Sequence, residues 1–172
     1  MLNSLVTLMS VIAGGVLTMV AAWFADKRLT ERDREGRREE RHERLATRRN
    51  EFQRETLLSL QITAQKLLRN TGASLHQDVI AYRKSGKWQK QQLPDGLSEG
   101  HLQLNTDTLL LASRVHDEEV RRLADQLRTK TTVVGLSSDE NEAESHMRAA
   151  ADLQGALIQR IGQLVRELDE AN

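Results

Sequence analysis

From Leu5 to Ala25 the chain reads LVTLMSVIAGGVLTMVAAWFA, apolar at nearly every position and without a charge. Residues 26 to 50 invert that pattern: DKRLTERDREGRREERHERLATRRN holds Leu29 and Leu45 as its only sizeable apolar side chains. Beyond Asn50 apolar residues return at spacings of three and four, the period of a helix with one buried face. The three regimes predict an all-α chain with a transmembrane helix (1–25), a charged helical spacer (26–50) and a cytoplasmic helical head (51–172).

In the first regime, 21 helical residues rising about 1.5 Å each span roughly 30 Å, the hydrocarbon thickness of a bilayer. A cleaved signal peptide competes with that reading, with Val20 and Ala22 at the recognition positions, but MLNS supplies no basic residue ahead of the apolar run. Trp23 and Phe24 stand where interfacial aromatics belong, and Lys27, Arg28, Arg32 and Arg34 follow at once. That bias predicts a single pass through the plasma (inner) membrane, N-terminus outside and C-terminal domain in the cytoplasm. Ser10, Gly14, Thr18 and Ala22 recur every four residues, a small-residue stripe along which two membrane helices can approach closely and form a homo-oligomer.

The second regime lacks a heptad seam, so it encodes no coiled coil. Opposite charges recur instead at helical spacing: Lys27 with Glu31, Asp33 with Arg37, Glu40 with Arg44, and, three apart, Arg28 with Glu31, Arg32 with Glu35 and Arg37 with Glu40. Several weak pairs in series can hold a solvated helix, which would reach roughly 35 to 40 Å, and Gly36 is its weak point. A nucleic-acid arm is the alternative, which the seven interleaved acids oppose.

The third regime predicts an antiparallel three-helix bundle, with helices over 51–84, 98–134 and 138–170. Leu57, Leu60, Ala64, Leu67, Thr71, Leu75, Val79 and Tyr82 form the first buried stripe, widened by Phe52, Leu58, Ile62 and Leu68. SGKWQKQQLPDG is a loop, and the second helix, with a cap at Thr106, carries Leu109, Ala112, His116, Val120, Leu123 and Leu127 on one face and closes at Gly135. Ser137 and Glu140 form a capping box for the third helix, whose stripe is Ala143, Met147, Ala150, Gln154, Leu157, Ile161, Leu164 and Leu168.

FQRETLLSLQ at 52–61, with YRKSGKW at 82–88, LPDGLSE at 93–99 and LLASRVHDEEVRRL at 110–123, resembles a family of uncharacterised actinobacterial single-pass membrane proteins with a charged juxtamembrane helix. The resemblance implies the architecture and a Gram-positive cell membrane, and transfers no chemistry.

Composition adds little chemistry to this picture. The 172 residues hold 25 Lys and Arg against 25 Asp and Glu, no Cys, one Pro and 3% aromatics, which excludes a disulfide framework and a thiol nucleophile. Phosphate loop, HExxH and nucleophile-elbow signatures are absent, and no cofactor or metal is implied. Glu142 with His146 and Glu39 with His42 have helical metal-ligand spacing, yet a surface His on a charged helix explains both, and His116 reads as a His packed at a core edge. RNTGASLH at 69–76 resembles the ribonuclease motif of HEPN helical domains. That resemblance implies Arg69 stabilising phosphorane charge and His76 as acid or base, and a membrane-tethered ribonuclease or toxin as the alternative function. Arg83, Lys84, Lys87 and Lys90 around Trp88 form a basic patch that could touch an anionic membrane or RNA, unless Trp88 folds back on the bundle. The function expected from the whole is a membrane-anchored interaction or scaffold protein without catalysis, with the bilayer, a second copy and a cytoplasmic protein as partners.

Overall fold

The computed structural model describes the backbone of residues 2–88 and 96–170, and the side chains of Met19, 36–38 and 40 onward within them. Every element in that range is an α-helix: α1 (Leu2–Ser85), α2 (Leu97–Arg114), α3 (Glu118–Leu136) and α4 (Glu140–Glu170). Internal packing divides the chain into two units, Met1–Arg48 and Arg49–Asn172, and α1 contributes to both.

In the first unit the side chains of 37, 38 and 40–48 are all exposed. Glu40 and Arg44 meet at 3.4 Å, a solvated pair worth a few tenths of a kcal/mol. The other pairs drawn through 26–35 and Glu39 lie outside the described side chains. So do the membrane stripe Ser10, Gly14, Thr18 and Ala22 and the interfacial Trp23, Phe24, Lys27 and Arg28. Among the described residues no helix is long and apolar enough to cross a membrane, and the side chains of the apolar run fall outside them, Met19 excepted.

The second unit is a bundle of four helical segments rather than three. Gln53 of α1 lies beside Arg114 of α2 and Asn70 beside Leu97, so these two run antiparallel. Asn105 of α2 meets Arg128 of α3, Arg160 late in α4 meets Asp117 at the start of α3, and Arg54 meets Asp169. The topology is therefore up, down, up, down. Leu57, Leu60, Ala64, Val120, Ala124, Leu127, Ala150, Leu157 and Ile161 are between 0 and 2% exposed and form its core. Alanines at 64, 124 and 150 bring the helix backbones close, and the leucines between them fill the layers.

The helix expected over 98–134 is broken at Val115–Asp117. Val115 is extended (φ −80°, ψ 135°) and Asp117 caps α3, its side chain accepting from Val120 N–H. Gln53, 7% exposed, clamps the elbow from α1: its Nε2 donates to Arg114 O at 2.9 Å and its Oε1 accepts from His116 N–H at 3.0 Å. The break frees α2 to rotate independently of α3. Thr108 is buried instead and Leu109 is 47% exposed, contrary to a stripe carried through both. His116 is exposed at the elbow, where it borders a small pocket beside Leu57, Val115 and Leu168.

The helix ends shift too. Thr106 lies inside α2 and donates to Leu102 O, so it caps nothing. Gly135 falls within the last turn of α3, and Ser137 is its C-cap. The capping box of α4 is Asp139 with Glu142: Asp139 Oδ1 accepts from Glu142 N–H at 2.8 Å, while Glu142 Oε2 accepts from Ser138 N–H at 2.7 Å. The expected Ser137–Glu140 pairing chose the right chemistry two residues early.

Candidate functional site

The leucine ladder of α1 ends at Leu67 and continues along the same face as Thr71, Ser74 and Asp78. These side chains are too short to fill the space that Leu57, Leu60 and Leu67 fill lower down. Opposite them stand the first turns of α2 (Ser98, His101, Leu102, Asn105) and the last turns of α3 (Thr131, Thr132, Val134, Gly135, Leu136). Together they leave a cavity of about 470 Å³, within the size range of small-molecule sites.

Its walls are mostly apolar and its polar groups are specific. Asp78 is 6% exposed and Thr131 1%, and His101 is half-buried. Thr71 Oγ1 donates its one hydrogen to Leu67 O at 2.9 Å and stands 3.5 Å from His101 Nδ1. The direction of that long contact depends on the imidazole tautomer: His101 donates through Nδ1 only where the Thr71 hydroxyl keeps its hydrogen on Leu67 O. Burial lowers the His101 pKa below its ordinary 6.5, so the ring is neutral at pH 7.

The residues marked out by sequence fall elsewhere. Arg69 and His76 are exposed on α1, seven positions and so roughly 10 Å apart along the axis. Asn70 between them is structural: Nδ2 donates to Leu97 O at 3.3 Å, and Oδ1 is buried without a partner among the described residues. Trp88 folds back on the bundle, its Nε1–H donating to Ser137 O at 3.1 Å and its ring edge-on to Tyr82 at 5.7 Å. Arg83, Lys84 and Lys87 are exposed beside it, and Lys90 lies outside the described residues. Glu142 and His146 meet at 3.8 Å on α4, and hydrogen bonds from Ser138 lower the Glu142 pKa. Among the described residues no three acidic, His or Cys groups converge as a metal site would require.

Neither Asp78 nor His101 stood out in the sequence. The one signal was the replacement of leucine by Thr, Ser and Asp at core-facing positions of α1, which a helical period alone treats as drift.

Family models, curated proteins and solved structures all fail to match this chain.

Proposed function

We propose that the protein is a membrane-anchored interaction module, N-terminus outside, whose cytoplasmic helical head is carried on a charged spacer and works by binding rather than by catalysis. The observation that carries the reading is the contrast within α1. One helix passes from an uncharged 21-residue run, through a stretch whose side chains at 37, 38 and 40–49 are exposed, to a face buried at Leu57, Leu60 and Leu67. A solvated charged helix beside a packed one connects two bodies more readily than it builds a reaction site. The resemblance to actinobacterial single-pass proteins agrees with this, as does the position of Lys27 and Arg28 after the apolar run.

The chain has no Cys, so single cysteines report topology cleanly. With Asn3→Cys, a membrane-impermeant maleimide should label intact host cells. With Asn172→Cys, it should label only after permeabilisation. Equal labelling of both in intact cells, or recovery of the full chain in the soluble fraction, would sink the anchor.

A further inference from the structure

The cavity at the Ser85 end of the bundle is walled by Leu75, Leu102, Val134 and Leu136. Leu102 and Leu136 are 70% and 76% exposed although they line it, so they mark its mouth and leave apolar surface there uncovered.

Most polar groups between these walls already have partners within the protein. Thr71 donates to Leu67 O, Ser74 to Asn70 O, and Thr131 and Thr132 both donate to Arg128 O. Thr132 Oγ1 also accepts from Asn105 Nδ2 at 3.3 Å, and Asn105 Oδ1 accepts from Arg128 Nε at 2.9 Å. Asp78 has an interaction of its own and is no open counter-ion. What remains for a ligand is of both kinds. The hydroxyl oxygens of Thr71, Ser74 and Thr131 keep lone pairs, and the Ser98 hydroxyl can donate. The neutral His101 ring carries one donor and one acceptor nitrogen in either tautomer.

The backbone poles are mixed as well. α2 begins at Gly96 without a side-chain cap, so the N–H groups of its first turn add donors at the Ser98 edge. α3, antiparallel to it, ends on the neighbouring wall with no basic side chain in its last turn to answer its carbonyls. The two poles lie side by side and offset each other. No Lys or Arg belongs to the described lining. A carboxylate would meet Asp78 and no cation, and an ammonium would meet N–H donors and a carboxylate already engaged. Either ion would lose hydration that nothing here replaces.

We propose that this cavity binds an uncharged small molecule with an apolar body and one amide-like group that both donates and accepts. The amide oxygen takes the donors at the Ser98 edge, its N–H groups meet the lone pairs of Thr71 and Thr131, and the apolar part lies along Leu75, Leu102 and Val134. This does not depend on the membrane reading, since every residue involved belongs to the unit Arg49–Asn172.

The test is calorimetric titration of the full chain with 4-phenylbutanamide and its two charged counterparts, 4-phenylbutylamine and 4-phenylbutyrate. Phosphatidylcholine nanodiscs carry the chain, with empty nanodiscs as the blank. If it does not insert, the titration runs in buffer, so a failed anchor and a failed site are told apart. The amide should bind about tenfold or more tightly than either ion. Ser74→Leu fills the cavity from α1 and should abolish amide binding. Because that variant alters a packed wall, Leu102→Trp serves as the second: it narrows the mouth from an exposed position and should weaken the amide at least tenfold with the helical circular dichroism intact. No binding of the amide to the natural chain, either ion binding as tightly as the amide, or amide binding undiminished in Leu102→Trp overturns the proposal.

Discussion

Asp117 does two jobs with one carboxylate. Oδ1 accepts from Val120 N–H and caps α3, and Oδ2 accepts from Arg160 at 2.7 Å, tying α4 to the elbow. The Arg160 hydrogen bond is the main reason its pKa lies below the ordinary 3.8. A carboxyl whose pKa is lower folded than unfolded stabilises the fold fully above the unfolded value. That contribution disappears as pH falls through the lowered one. Denaturant midpoints of the full chain should therefore drop on acidification below about pH 4. Asp117→Asn keeps a good cap but no charge, so it should be weaker than the natural chain at neutral pH and converge with it in acid. A constant gap between the two across that range would show that the ion pair contributes nothing. The sequence holds this residue in plain view, since DEEV is a helix start with acids in the first turn. A continuous stripe through His116 hid it, because three-and-four spacing tolerates a two- or three-residue interruption without losing phase by eye.

The elements themselves were the most legible level, and their ends the least. The α4 stripe was readable at every position from Ala143 to Leu168, since a helix buried along one side must repeat apolar residues at its own period. Helix ends answer to single side chains instead, and neighbouring Ser, Asp and Glu compete for the same role, as at Ser137 to Glu142. Glycine shows how far element context decides an outcome. Gly155 lies exposed inside α4 with nothing within 4 Å of where a Cβ would stand, whereas Gly96 holds φ +83° at the N-cap of α2. Gly155→Ala should stabilise the fold by about 0.5 to 1 kcal/mol, and Gly96→Ala should destabilise it by about 1 kcal/mol. Thermal unfolding followed at 222 nm reads both, and the same sign for the two would contradict the backbone assignment. The cavity was not legible at this level. It depends on which side chains are short where three helices meet, and periodicity within one helix carries no record of its neighbours' lengths.

At the scale of the whole chain, the proposed anchor makes an assembly prediction. Native mass spectrometry of the protein gently extracted from its host membrane should show a homo-oligomer, and Gly14→Leu should reduce it to monomer, because a bulky side chain in the small-residue stripe keeps two membrane helices apart. A natural-sequence monomer carrying a different protein would replace self-association with a heterotypic partner. The Gln53 clamp has a further consequence, which is temporal. The turn between α3 and α4 is three residues long, so their pairing closes a small loop. The two hydrogen bonds between Gln53 and the elbow, one donated and one accepted by its amide, join residues 61 and 63 positions apart. Loop-closure entropy favours the α3–α4 hairpin as the nucleus and leaves the docking of α1 on the elbow until after the rate-limiting barrier. In mild detergent, Gln53→Ala should then raise the unfolding rate about tenfold while barely changing the folding rate. Slower folding in that variant would instead put α1 in the nucleus. On the expected order, the clamp governs how long the head stays folded rather than how fast it gets there, and α1 acts as the latch on a hairpin already closed.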